Sequence, residues 1–275
     1  AAQSVENARA LVVQGVDAIP SNPQVAIARD GSQVTAWQQT ADGGASHIVA
    51  QRHAANGEAM GNTFTVHHAA HGTQSDPQLA MNADGRFVIT WTDSAAGSSD
   101  DSSEIWARLF NADGSTASAD IHVNNFTTGD QQASSVSMAE DGSFVVTWQS
   151  NQQLSSLHGW GVYGQRFSPS GHPVGAAFDV LDTMDPKQQT NPVVASRPDG
   201  SFVVLLESSE TVVNTNEVGI IAVAYAADGT RTETAKLAGN MVQEKRAPAI
   251  AHLPDGHFMA AWQSHGEDGD GWGVY

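Results

Sequence analysis

The clearest apolar runs in the chain are short and rich in β-branched residues. Phe87-Val88-Ile89-Thr90-Trp91 and Phe144-Val145-Val146-Thr147-Trp148 are the best examples, and runs of this kind read as strands. An Asp-Gly pair precedes each, at Asp84-Gly85 and Asp141-Gly142, where glycine accepts the positive φ that a tight hairpin turn demands. Ahead of the turn lies another short strand, as in Gln24-Val25-Ala26-Ile27-Ala28 or Val193-Val194-Ala195. After a variable loop comes a third, Val162-Tyr163-Gly164-Gln165-Arg166-Phe167, matched by Ile105-Trp106-Ala107-Arg108-Leu109-Phe110. A second turn follows at Asn56-Gly57, Asp113-Gly114, Ser170-Gly171 and Asp228-Gly229. The fourth strand then carries Phe64 and Val66, Ile121 and Val123, or Phe178 and Val180.

This unit is copied five times. Asp-Gly pairs stand at Asp30, Asp84, Asp141, Asp199 and Asp255, spaced 54, 57, 58 and 56 residues apart. Seven residues before each Asp is Pro23, Pro77, Ser134, Pro192 or Pro248, and seven after it is Trp37, Trp91, Trp148, Leu206 or Trp262. Four antiparallel strands repeated at this period predict an all-β fold, a five-bladed β-propeller with one blade per repeat. The first strand is expected nearest the axis, where small residues such as Ala26, Ala28, Ala80 and Ala251 suit the crowding. A solenoid would need capping units, which the repeats lack. The repeat Trp residues are expected to pack between blades.

The repeats run from about 21–75, 76–132, 133–190 and 191–246, with the fifth made of 247–275 plus 1–20, so that 1–275 is one propeller domain. The chain stops at Gly273-Val274-Tyr275, midway through a third strand. Ala2-Gln3-Ser4-Val5 aligns with the remainder of that strand, as in Gly164-Gln165-Arg166-Phe167. On this reading the N- and C-terminal segments close the ring.

Charge narrows the partners. Lys plus Arg number 12 against 30 Asp plus Glu, a formal net charge of −18, so a phosphate backbone or an anionic membrane would be repelled. Hydrophobic residues make up 40% of the chain, enough for a sizeable core. There is no cysteine, so disulfides play no part, and no apolar run is long enough to cross a membrane. Ala1-Ala2-Gln3-Ser4 contains neither an initiator Met nor a signal peptide and reads as a mature or excised segment.

The string Asp-Gly-Ser-Phe-Val-Val-Thr-Trp-Gln-Ser (141–150), followed by Gly-Val-Tyr-Gly-Gln-Arg-Phe (161–167), resembles a tandem repeat of very large secreted bacterial proteins. Proteins of that kind also carry hemolysin-type calcium-binding repeats or cadherin-like adhesion domains. The resemblance implies an extracellular or cell-surface setting and a role in adhesion. Typical units place an Asp/Gly-rich stretch before Gly-Val-Tyr. Here the fifth keeps it, as Glu267-Asp268-Gly269-Asp270-Gly271, whereas the third has Asn151-Gln152-Gln153-Leu154.

Three groups of residues offer chemistry. Glu267, Asp268 and Asp270, separated by glycines, can supply several of the oxygen ligands that calcium needs, although such stretches are also common solvated turns. Asp93, Asp100, Asp101 and Glu104 form a weaker equivalent in the second repeat. Trp160 and Trp272, in identical Gly-Trp-Gly-Val-Tyr contexts, either present a face to a sugar or peptide or pack between blades. His67, His68 and His71 are the densest histidine cluster. With no second set of ligands, they read as an exposed loop rather than a zinc site.

Catalytic signatures are missing from the sequence: no Gly-x-Ser-x-Gly, no His-Glu-x-x-His and no phosphate loop. Five-bladed glycosidases need carboxylates converging near the axis, and the expected innermost strands lack them, with Asp76 alone at an entrance. The residues therefore point to a module without enzymatic activity, binding glycan or protein through its rim loops, with calcium as its one candidate cofactor. A structural spacer in a large surface protein and a five-bladed glycoside hydrolase or lyase are the alternatives.

Overall fold

The computed structural model describes residues 19–40, 45–68, 72–94, 102–153, 159–181, 188–212, 215–238, 244–266 and 271–275. All of its regular elements are strands. Blade one comprises β1 (Ile19–Ile27), β2 (Gln33–Thr40), β3 (Ser46–His53) and β4 (Phe64–Thr65). Blade two comprises β5 (Thr73–Met81), β6 (Phe87–Ser94), β7 (Ser103–Phe110) and β8 (Ile121–His122). Blade three comprises β9 (Gln131–Met138), β10 (Phe144–Asn151), β11 (Trp160–Phe167) and β12 (Pro173–Asp179). Blade four comprises β13 (Gln188–Ser196), β14 (Phe202–Val212), β15 (Thr215–Tyr225) and β16 (Arg231–Ala238), and blade five β17 (Lys245–His252), β18 (Phe258–His265) and β19 (Trp272–Val274).

Each sheet is an antiparallel meander in chain order, and the molecule is a five-bladed β-propeller, as the repeat predicted. The first strands β1, β5, β9, β13 and β17 contact one another in succession, which makes them the innermost. Blade five shows three strands among the described residues. Of the segment 1–20 expected to complete blade five, residues 1–18 lie outside the described residues, while Ile19 and Pro20 pair with Thr40 and Gln39 in blade one.

The Asp-Gly turns form as the sequence indicates. In blade one Gly31 has φ 85° and its N–H donates to the Ala28 carbonyl, while Asp30 Oδ1 accepts from both the N–H and the hydroxyl of Ser32. Those two bonds hold the Asp30 carboxyl below its usual range, the hydroxyl contributing most.

The core is divided among the seams between blades. One cluster joins Ile48 and Ala50 of blade one to Phe87, Ile89 and Trp91 of blade two. A second joins Val88 and Ile105 to Val136, Phe144 and Trp148, and a third joins Val145 and Val162 of blade three to Val194, Phe202 and Leu206 of blade four. Trp37, Trp91 and Trp148 are buried, and Leu206 fills the same position in blade four. An arginine also stitches each of four seams at the turn end. Arg52 donates to the Asp113 carbonyl at 2.6 Å and Arg86 to that of Pro169 at 2.9 Å. Arg166 donates to the Asp228 carbonyl, and Arg197 to that of Gly256 at 2.6 Å.

Candidate functional site

Every innermost strand breaks register at the same place, just where the repeat Pro or Ser stands. The breaks fall between Ser21 and Gln24, Ser75 and Gln78, Thr190 and Val193, and Arg246 and Ala249, and in blade three opposite Thr147 and Gln149. At each break one residue turns left-handed: Asn22 (φ 50°), Asp76 (50°), Ala133 (53°), Asn191 (51°) and Ala247 (50°). None is glycine, and such a conformation costs about 1–3 kcal/mol per residue, persisting only where its surroundings enforce it. The proline that follows Asn22, Asp76, Asn191 and Ala247 has no N–H to place in the ladder, which suits a bulge and not a continuous strand. β-Bulges of this kind re-aim side chains, here at one end of the axis.

Four of the five left-handed residues line a cavity of ≈ 700 Å3 at that end, to which blades two, three, four and five contribute. Its walls carry the side chains of Gln78, Gln132, Ser134, Ser135, Gln149 and Gln263, together with two carboxylates, Asp76 and Glu207. Glu207 is buried and its Oε1 accepts the Ala247 N–H at 2.7 Å. Asp76 is exposed at the mouth, and its Oδ1 accepts from Asn22 Nδ2 at 2.8 Å. Gln149 Oε1 likewise accepts the Asn191 N–H at 3.0 Å. Arg246, also in the lining, donates through Nε to Glu244 Oε1 at 2.8 Å. Cavities of ≈ 290 and ≈ 380 Å3 between blades three and four gather fewer converging polar groups around Arg166. The axial cavity is therefore the candidate site.

The sequence reading looked for carboxylates on the first strands alone. Glu207 comes from β14, a second strand, at the position following the repeat Trp. Across the blades that position reads Gln38, Thr92, Gln149, Glu207 and Gln263, so its one carboxylate was visible as the odd member of a column of polar residues.

The sequence-derived candidates separate. Trp160 opens β11 half-buried, and its backbone N–H donates to Gln188 Oε1 at 3.0 Å on blade four. Trp272 is 50% exposed and meets the His265 ring edge-on at 5.3 Å. Neither lines the axial cavity. Glu267, Asp268 and Asp270 lie outside the described residues, as do His71, Asp100 and Asp101. Asp93 is buried and accepts from Gln74 Nε2 at 3.1 Å, while Glu104 sits 3.1 Å from His122 Nε2. His67 departs from the exposed loop expected of it: it is buried in the seam between blades one and two, 5.4 Å from the His47 ring and 6.4 Å from Trp91. Among the described residues no group of three or more His, Asp or Glu gathers to hold a metal.

No protein-family model and no curated sequence matches the chain. Solved structures do resemble it. An α-L-arabinanase from Penicillium chrysogenum, complexed with arabinobiose, has a TM-score of 0.59 and 15% identity, covering 94% of this chain and 82% of its own. A protein of unknown function from Dyadobacter fermentans has a TM-score of 0.58 and 13% identity, covering 94% and 78%. An endo-arabinase from Bacteroides thetaiotaomicron has a TM-score of 0.50 and 12% identity, covering 92% of each chain. At these identities the likeness shows the fold. It also corrects the expectations of a non-catalytic binding module and of a chain that is no enzyme. The named propellers among these neighbours are glycoside hydrolases, and the objection that carboxylates were missing from the axis falls with Glu207.

Proposed function

We propose that this propeller is a glycoside hydrolase cleaving a neutral, arabinose-containing polysaccharide, with Asp76 and Glu207 as its reacting carboxyl pair. The observation that carries the reading is their convergence, from blades two and four, on one axial cavity otherwise walled by amides and hydroxyls. Amides and hydroxyls match the donor and acceptor pattern of sugar hydroxyls. Hydrolysis of a glycosidic bond needs one carboxylic acid to protonate the departing oxygen. A second carboxylate activates water or attacks the anomeric carbon. Neutral sugar is favoured because Arg246, the one cation in the lining among the described residues, is already paired with Glu244 and the chain carries a net charge of −18. The names of the structural neighbours supply arabinan as the first substrate to try. A polymeric substrate of this size is met outside a cell, which agrees with a secreted setting.

The test is release of reducing sugar from arabinan, arabinoxylan and polygalacturonate by the purified chain. Arabinan or arabinoxylan is expected to be cut and polygalacturonate left intact. Glu207→Gln and Asp76→Asn should each lower kcat by about 10²- to 10⁴-fold. Azide rescue with the anomeric configuration of the glycosyl azide determined would separate the roles in a retaining enzyme, an inverted product marking loss of the attacking carboxylate and a retained product loss of the acid. A wild-type chain inert on all three polymers, or variants as active as wild type, overturns the reading.

A further inference from the structure

We infer that Asn22 is a positioning residue for Asp76, and that the bulge of one blade serves as the clamp for the carboxyl group of another. The inference rests on the reading of Asp76 as a reacting group. Asn22 and Asp76 occupy the same place in successive repeats, each left-handed at φ 50° and each followed by proline. The left-handed turn at Asn22 directs its side-chain amide at the neighbouring blade, where Nδ2 donates to Asp76 Oδ1 at 2.8 Å. The same amide lies 3.4 Å from Gln38 Oε1 on β2 of its own blade, a second contact that limits its swing. One oxygen of Asp76 is thereby fixed, and rotation about its side-chain bonds is restricted. Glu207 shows the same arrangement in another form, its Oε1 held by the N–H of the left-handed residue Ala247 of blade five. Both carboxylates of the cavity are thus aligned across a seam by a bulge residue.

Three features set this apart from a surface hydrogen bond of no consequence. The donor stands in a strained conformation that asparagine tolerates better than most residues. Its acceptor lines the cavity. The contact also crosses the seam between blades one and two, so the orientation of Asp76 is set from outside its own blade. Misplacing such a group by an ångström is sufficient to cost on the order of 10²-fold in rate.

Kinetics of three variants beside wild type provide the test. Asn22→Gly adopts φ 50° without strain and loses only the amide. It is expected to melt no lower than wild type, to keep KM within about twofold and to lose about 10- to 100-fold in kcat. Asn22→Asp places a second carboxylate against Asp76, and two carboxylates in contact resist ionising together. One limb of its pH–rate profile should therefore move to higher pH, the acidic limb if Asp76 works ionised and the basic limb if it is the acid, a readout that a merely structural residue would leave in place. Asn22→His keeps an N–H donor at a residue type that also tolerates this conformation, and should recover part of the loss. The inference fails alone if wild type cuts its polymer, Asp76→Asn is dead, and Asn22→Gly retains wild-type kcat and pH profile. A wild-type chain without activity instead removes the functional reading, and this inference with it.

Discussion

Blades three and five begin their third strands with the same five residues, Gly-Trp-Gly-Val-Tyr, and the two copies have different surroundings. In blade three Val162 is fully buried and Tyr163 is 4% exposed, both shielded by their neighbours. In blade five Val274 is 77% exposed and Tyr275 41%. The pairing within each sheet is equivalent, Gln149 facing Val162 and Gln263 facing Val274. What differs is the neighbour. Val162 packs in a cluster with Val194 and Phe202 of blade four, whereas Val25 and Ile27 of β1, at the positions that seal the other seams, are 60% and 62% exposed. Local sequence therefore determines the strand and its pairing, and the adjoining blade determines burial.

The comparison can be tested by substitution. Trp148→Ala should cost roughly 3–5 kcal/mol, because a fully buried indole is lost from a packed seam. Trp262→Ala, at the same repeat position but only half-buried, should cost about half that or less. Along the third strands, Val162→Ala should cost roughly 2 kcal/mol and Val274→Ala within about 0.5 kcal/mol. Urea unfolding midpoints check both pairs, and equal losses at the two blades would refute the distinction.

Calcium is expected to act on blade five and not on blade three, since blade five keeps Glu267, Asp268 and Asp270 where blade three has Asn151 to Leu154. Binding to the folded chain at tenfold excess over Kd stabilises by about 1.4 kcal/mol, read as a rise in Tm. Asp268→Ala with Asp270→Ala should remove the rise, and no calcium response in wild type would identify the stretch as an ordinary acidic turn. The smallest effect belongs to the turn of blade five. There the N–H of His257, donating to Asp255 at 3.0 Å, and to a lesser degree its ring hold the carboxyl below its usual range. A carboxyl lowered on folding stabilises above its ordinary value, and that contribution is lost as pH falls through the folded one. Melting curves taken down through the acid range should show Asp255→Asn removing a small part of the decline. An unchanged profile would show the contact to be without consequence.

Much of the architecture was legible because each repeat carries its own punctuation. Asp-Gly marks the first hairpin, the Pro seven residues earlier marks the bulge in the middle of the inner strand, where the sequence suggests its start, and the Trp seven residues later marks a seam. The cavity was harder to see for a geometric reason. Side chains alternate across a strand, so a bulge exchanges the faces on either side of it. A reading that treats Gln24 to Ala28 as the whole inner strand misses Asn22, Asp76 and their counterparts. Glu207 was hidden by the assumption that only first strands reach the axis. Trp160 and Trp272 were beyond local reading altogether, because identical pentapeptides acquire different exposure only when the next blade is in place. The burial of His67 against Trp91 belongs to the same class, as a contact between repeats.

The five bulges amount to one backbone socket duplicated around the mouth of a funnel. Asn, Asp, Ala, Asn and Ala now occupy it. A proline follows the left-handed residue in four of the five, and in blade three a serine takes its place. A protein enlarged by copying such a repeat inherits each new socket already shaped. Substitutions at these positions therefore change the rim of the cavity while the fold of the blades beneath is kept.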